Sequence, residues 1–125
     1  MAILTSVADR EHPSPAQVAA DRLCEMSADT RAAVVLDPAG ELAGASGTPR
    51  APELAELAAE LLEAVDAVAP AGPPEQMEAQ VEGGAVYLVR RRQWTLAAVA
   101  RRSALSSLMF YDVRAVLSEL EGSAT

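Results

Sequence analysis

Apolar residues recur along this chain in two rhythms, and the places where the rhythm changes mark out the elements. Ser14-Pro15-Ala16-Gln17 predicts a helix start, with Ser14 as the cap, Pro15 at the first helical position and Gln17 as a capping-box partner. Ala19, Leu23 and Met26 follow on one stripe, and the helix ends near Ala28. Ala32 to Leu36 is an apolar run of strand length, Asp37-Pro38-Ala39-Gly40 a turn, and Glu41 to Ala45 a returning strand. Gly44, Gly47 and Pro49 then break the pattern. Pro52 opens the strongest helix, running to about Ala69. Leu54, Leu57, Ala58, Leu61, Leu62 and Val65 form the stripe expected to rest on a core. Glu53, Glu56, Glu60, Glu63 and Asp66 occupy the other side with no basic residue among them, and Ala71-Gly72-Pro73-Pro74 ends the helix.

Beyond that break the period drops to two. Gln76 to Glu82 alternates strictly, with Met77, Ala79 and Val81 on one face and acids or amides on the other. Gly83-Gly84 predicts a two-residue hairpin turn into a strand from Ala85 to Arg90. Arg91-Arg92-Gln93 is a short connection, and Trp94 to Ala100 another strand, completing an antiparallel meander. Ser103 is expected to cap a last helix whose stripe is Leu105, Leu108, Met109, Val113, Val116, Leu117 and Leu120, with Gly122 as its stop. The order is helix, strand, strand, helix, strand, strand, strand, helix. It predicts an α+β three-layer sandwich around one five-stranded antiparallel sheet. Residues 1–13 read as a leader, 14–121 as a single domain and 122–125 as a tail.

Composition narrows the function more than the fold. A chain of 125 residues with 50% apolar and 22% charged residues is one folded domain, not a disordered segment. A single cysteine, Cys24, and a single histidine, His12, allow neither an internal disulfide nor a four-ligand zinc site. No apolar run approaches the ~20 residues of a membrane span, and no basic-then-apolar signal opens the chain. The expectation is a cytoplasmic protein without membrane insertion. All ten basic residues are Arg, so the lysine of a phosphate-binding P-loop is missing. The net charge of −8 weighs against nucleic acid, which needs basic surface. That charge is uneven: residues 1–89 carry 15 acids and 4 Arg, whereas residues 90–125 carry 6 Arg and 3 acids.

No catalytic constellation emerges. His12 reads as a solvated leader residue and Cys24 as a small half-buried hydrophobe. The acids diverge along a helix and a strand rather than converging on a pocket. The chain is therefore expected to be no enzyme and to carry no cofactor or metal.

Its interaction features are stronger. The strand over 76–82 follows a loop rather than a hairpin, which puts it at a sheet edge, where unpaired N–H and C=O groups must be covered, charged or paired. Glu78 and Glu82 guarding that edge is the plainer reading. The sharper one is a homodimer in which this strand pairs with its copy, with Met77, Ala79, Val81 and Leu62 at the interface and the neighbouring helix closing over the two-fold axis. Arg90, Arg91 and Arg92 form one basic spot and Arg101 and Arg102 another, separated by the length of a strand. Arg91 and Arg92 are a candidate docking point for an acidic partner or another copy's acidic helix, or else a solvated hairpin tip. Trp94 reads as a core or sheet-face residue.

The stretch Ala33-Val34-Val35-Leu36-Asp37-Pro38-Ala39-Gly40-Glu41-Leu42-Ala43-Gly44-Ala45-Ser46 resembles the first hairpin of roadblock (dynein light chain-type) domains. The Leu54–Val65 helix, the Gly83-Gly84 hairpin, the Trp94–Ala100 strand and the Leu105–Leu120 helix fall in that family's order, so the resemblance covers about residues 14–121. It implies a roadblock/profilin-like sheet with the middle helix on one face and the terminal helices on the other. It also implies a bacterial single-domain member that dimerises through the third strand, here 76–82, with the middle helices, here 52–69, beside the seam. Roadblock domains act as scaffolds and regulators of small Ras-like GTPases or as adaptors on motors and membranes, and the resemblance carries over no catalytic residue. It places a GTPase at the seam face, here Glu56, Glu60 and Glu63. Two other functions stay open: a small-molecule sensor, using space left by Gly44, Ala45, Ser46 and Gly47 between helix and sheet, and an interaction scaffold without a GTPase partner.

Overall fold

The computed structural model describes residues 13–68 and 75–124. Eight elements follow one another there: α1 (Pro15–Met26), β1 (Thr30–Leu36), β2 (Leu42–Ser46), α2 (Ala51–Val68), β3 (Gln76–Val81), β4 (Gly84–Arg91), β5 (Trp94–Ala100) and α3 (Ser106–Ala124). Their order and type are those of the sequence reading. The leader with His12, and the Ala71–Pro74 break, lie outside the described residues. The strands form one antiparallel sheet in the order β2-β1-β5-β4-β3. Its two edges are therefore β2 and β3. Helices α1 and α3 cover one face, and α2 covers the other.

Local chemistry accounts for the first hairpin. The Asp37 carboxylate accepts the N–H groups of Ala39 and Glu41 at 2.9 and 3.0 Å, and Gly40 supplies a φ of +83°. In α1, Ser14 Oγ accepts the Gln17 N–H at 3.2 Å, as a cap should. The Gln17 side chain does not complete the capping box. It reaches across to β2, because the edge there offers backbone groups that no other described residue satisfies.

Four boundaries in the second half of the chain differ from expectation. The β3–β4 turn is Glu82-Gly83, with Gly83 at φ +84°, so Glu82 sits in the turn rather than on the strand. Gly84 is the first residue of β4, packed so close to the Ala100 carbonyl that a Cβ would collide with it. In the β4–β5 turn Arg91 pairs with Trp94, leaving Arg92 and Gln93 as the two loop residues at φ +48° and +75°. That left-handed pair matches the twist of a hairpin but strains residues with a Cβ by roughly 1 kcal/mol or more each. Helix α3 starts at Ser106, not after Ser103, because the chain first makes a separate turn in which the Ala104 N–H donates to Arg101 O at 3.1 Å. Leu105 therefore precedes the helix and Leu108 lies a step, about 100°, round from Met109, so both are exposed while Met109, Val113, Val116, Leu117 and Leu120 are buried. Gly122 lies inside α3 and does not stop it.

Helix α2 is rotated relative to its predicted stripe. Only Ala55 and Ala58 are buried, and Leu54, Leu57, Leu61, Leu62 and Val65 are all half-covered. The residues packed on the sheet are Ala51, Leu54, Ala55, Ala58 and Leu62, because the alanines let the helix approach closely, while Leu57, Leu61 and Val65 stay on its flank.

Candidate interaction surfaces

The two sheet edges are treated differently. At β2 the Gln17 amide donates to Ala45 O at 2.6 Å and its oxygen accepts the Ala45 N–H at 3.1 Å, so one side chain satisfies both outward backbone groups of the mid-strand residue. Gly44 lets this happen: a Cβ there would come within 2.5 Å of the Ala16 backbone, so α1 lies directly on β2. The same closeness leaves no room for the ligand space suggested by Gly44 to Gly47. A Cβ on Gly47 would strike the Arg31 carbonyl in the same way.

At β3 nothing comparable occurs among the described residues. The Arg90 N–H donates to Glu75 O at 2.7 Å, which makes those two a bonded pair. Antiparallel ladders alternate, so Met77, Ala79 and Val81 bond to β4, whereas Gln76, Glu78 and Gln80 turn their N–H and C=O groups outward. The side chains of Met77, Ala79 and Val81 are half-covered and lie on the α2 face, where Met77 packs against Leu88 and Leu62 belongs to the same cluster. The polar face carries a Gln80–Glu78 hydrogen bond of 2.8 Å, and Arg114 of α3 donates to Gln76 at 2.6 Å.

The acids of α2 fan over its top and toward β2. Glu56 stands beside Glu41 and Leu42, and Glu63 lines an open cleft of about 540 Å³ together with Leu36, Asp37, Pro38 and Gln93. Glu60 is exposed. The opposite flank, toward β5, β4 and β3, presents Leu54 and Leu57 above Ala32 and Val99, with Leu61 continuing the row. Reading the helix as one apolar stripe missed this split. The spacing Ala51-Ala55-Ala58-Leu62 could have revealed it, since small residues mark the line of closest approach. The acids are not all unpaired either. Asp66 takes two bonds from Arg90, at 2.7 and 2.9 Å, and Glu53 pairs with Arg50. Arg90 holds the Asp66 carboxyl below its usual range by hydrogen bonding, and Arg90 is raised in turn.

The tip arginines also have internal partners. Arg91 reaches Ser118 at 3.1 Å and Glu121 at 3.7 Å, and Arg92 reaches Glu121 at 3.4 Å. Successive residues point to opposite faces, so Arg90 ties β4 to α2 while Arg91 ties it to α3. Arg92 remains largely exposed, its side chain 80% accessible. Trp94 packs against the α1/α3 core, as expected. Cys24 is half-buried against the same core, and burial pushes its thiol up, a Ser46 hydrogen bond only partly offsetting this. A thiol raised in this way is a poor nucleophile. Among the described residues no three His, Cys, Asp or Glu gather as metal ligands, and no helix is long and apolar enough to cross a membrane.

These layers and edges define a class, the profilin-like three-layer α+β fold. The fission yeast Schizosaccharomyces pombe profilin structure superposes with a TM-score of 0.61 at 14% identity, over 86% of this chain and 97% of that one. Within the class the chain has the roadblock/LC7 fold. The Roadblock/LC7 domain from Streptomyces avermitilis matches with a TM-score of 0.75 at 18% identity, over 85% of this chain and 94% of that one. Myxococcus xanthus MglB matches at 0.74 and 16% identity, over 86% of both chains. No protein-family model and no curated protein matches the sequence.

Proposed function

We propose that this protein is a bacterial, cytoplasmic roadblock-type homodimer that regulates or scaffolds a small Ras-like GTPase without catalysing a reaction itself. The contrast between the two sheet edges carries the reading: Gln17 occupies the backbone of β2, while β3 keeps outward N–H and C=O groups beside half-covered Met77, Ala79 and Val81. Antiparallel pairing of β3 with its copy satisfies those groups and makes a ten-stranded sheet. It also brings the Leu57 and Leu61 flank of α2 toward the seam, joining Leu62. The GTPase part rests on the roadblock likeness, to which the shared fold with MglB adds support. A partner approaching over α2 meets Glu60 on top of the helix, with Glu56 and Glu63 on its β2 side. Arg91 and Arg92 form a second, weaker candidate contact, since docking there competes with Glu121.

Val81→Asp tests the dimer. A carboxylate on the inward side of a paired β3 costs on the order of several kcal/mol, so light scattering is expected to report a monomer at concentrations where the parent chain is a dimer. An unchanged dimer mass refutes edge pairing. The partner is tested by co-purification with Ras-like GTPases of the same genome, loaded with GDP or a non-hydrolysable GTP analogue. A nucleotide-dependent complex that weakens in Glu60→Arg is expected, and no capture in either state refutes the GTPase reading.

A further inference from the structure

Of the nine arginines among the described residues, Arg22, Arg50, Arg90, Arg91, Arg92 and Arg114 each have a hydrogen-bonded or ion-paired side-chain partner. The three without one among the described residues are Arg31, Arg101 and Arg102. They gather at one end of the β1–β5 pair: Thr30 pairs with Ala100, and the Arg101 N–H donates to Asp29 O at 3.0 Å. After the turn at Arg101–Ala104 the chain enters α3, and Leu105 just before the helix and two residues of its first turns leave large apolar side chains open. Leu105 is 67%, Leu108 50% and Tyr111 66% exposed. Met26, 41% exposed, sits at the same end of the layer, because the neighbouring Ser27 lies 3.7 Å from the Met109 sulfur. Large apolar side chains left open in one place mark a contact surface, and free cations beside them select an anionic one.

We infer that this corner docks on an anionic lipid surface, with Leu105, Leu108 and Tyr111 entering the headgroup boundary and Arg101 and Arg102 meeting lipid phosphates. The combination of apolar side chains with an aromatic and adjacent arginines is what interfacial binding requires. Three features favour a membrane over an acidic peptide. The side chains project from a helix and a sheet end rather than lining a groove. The five acids of α2 lie on the opposite face of the sheet, so they point away from a surface beneath α3, and the acids near this corner, Glu25, Asp29 and Asp112, are matched in number by Arg31, Arg101 and Arg102. Finally, antiparallel pairing of β3 in one continuous sheet puts the two-fold axis normal to that sheet, so a dimer presents both corners on the same side, where one flat surface engages both. That last feature rests on the proposed dimer, whereas the corner itself belongs to each protomer.

The test is co-sedimentation of the full chain with vesicles of phosphatidylglycerol and phosphatidylcholine, against phosphatidylcholine alone, at low and high salt. Binding is expected only with the anionic lipid, and salt is expected to weaken it. Each of Arg101→Gln and Arg102→Gln should lower the partition coefficient roughly fivefold. Leu105→Ser with Leu108→Ser should abolish binding while leaving the circular dichroism melt unchanged, since both residues are exposed. Arg50→Gln, an equal charge change on the α2 side, should leave binding as it was. If Val81→Asp monomers still bind, more weakly, the corner stands independently of the dimer. No binding of the parent chain to anionic vesicles overturns the proposal. So does an altered dimer mass in the leucine double variant, which would assign the patch to the subunit contact, or capture of an acidic protein that Arg101→Gln abolishes without any vesicle binding.

Discussion

Under α1 and α3, the sheet buries Tyr87, Leu96, Met109, Val113, Leu117 and Leu120 in a cluster of seventeen of the described residues, with Tyr87 and Phe110 meeting edge to face at 5.3 Å. Under α2 the corresponding cluster has six buried residues, two of them the helix's own alanines, and five larger side chains along the helix stay half wet. Both faces belong to the same strands, so the difference comes from what each helix brings. Two helices interlock on the first face, and the glycine at 44 lets one of them touch backbone. A single helix lies on the second face, held by alanines. Burial on the first face secures the fold; on the second it stops short, and the apolar surface left over lies beside an edge that no side chain among the described residues seals. Apolar surface left half-covered beside an open edge is the kind that the proposed pairing of β3 would cover.

Truncating one leucine on each face is the sharpest way to break this contrast. Leu117→Ala removes a fully buried side chain and should cost about 2–5 kcal/mol in urea unfolding. Leu61→Ala, at concentrations where the chain is monomeric, should cost under about 1 kcal/mol, because that side chain loses little burial. Equal losses would mean that the α2 face is a core after all. Gly44→Ala comes next. Its methyl group would press on the Ala16 backbone, which cannot swing aside as a side chain does, so a loss of about 1–3 kcal/mol is expected in thermal melts. A neutral Gly44→Ala would show that α1 sits less tightly on β2 than the Gln17 bonds require.

Much of this was legible from periodicity. Strict alternation over residues 76–82 placed Met77, Ala79 and Val81 on one face, and the loop before it placed that strand at an edge. Asp37 and Gly40 announced their turn because the side-chain bond and the positive φ are local. What escaped was set by contacts between distant segments. Gln17 reads as a capping residue until β2 is known to lie beside it, and Arg90 and Arg91 read as one basic tip until the pleat sends them to opposite helices. The rotation of α2 escaped for a related reason. A stripe counted in leucines shows which side of a helix is apolar, whereas the alanine line shows which part of that side touches.

The smallest expected effects come from two carboxylates, one on each face, and they have opposite signs. Asp112 on α3 is half-buried and its carboxyl is raised by burial alone, so ionising it works against the fold. Its cost is absent below the unfolded value of about 3.9 and develops as pH rises through the higher folded value. Asp66 on α2 is held below its ordinary range by Arg90, so its contribution is complete above about 3.9 and disappears as pH falls through the lower folded value. Asp112→Asn should therefore stabilise the chain at neutral pH, by about 0.5 kcal/mol or less. Asp66→Asn should weaken it there, slightly, because the Arg90–Asp66 pair is solvent-exposed and screened. Both differences should shrink together as the pH of the melt is lowered past the carboxylate range, since the parent side chains are then as neutral as asparagine. A shift of the same sign in both variants would mean that α2 screens its acid in the same way as α3, and the two faces would no longer differ electrostatically as they do in packing.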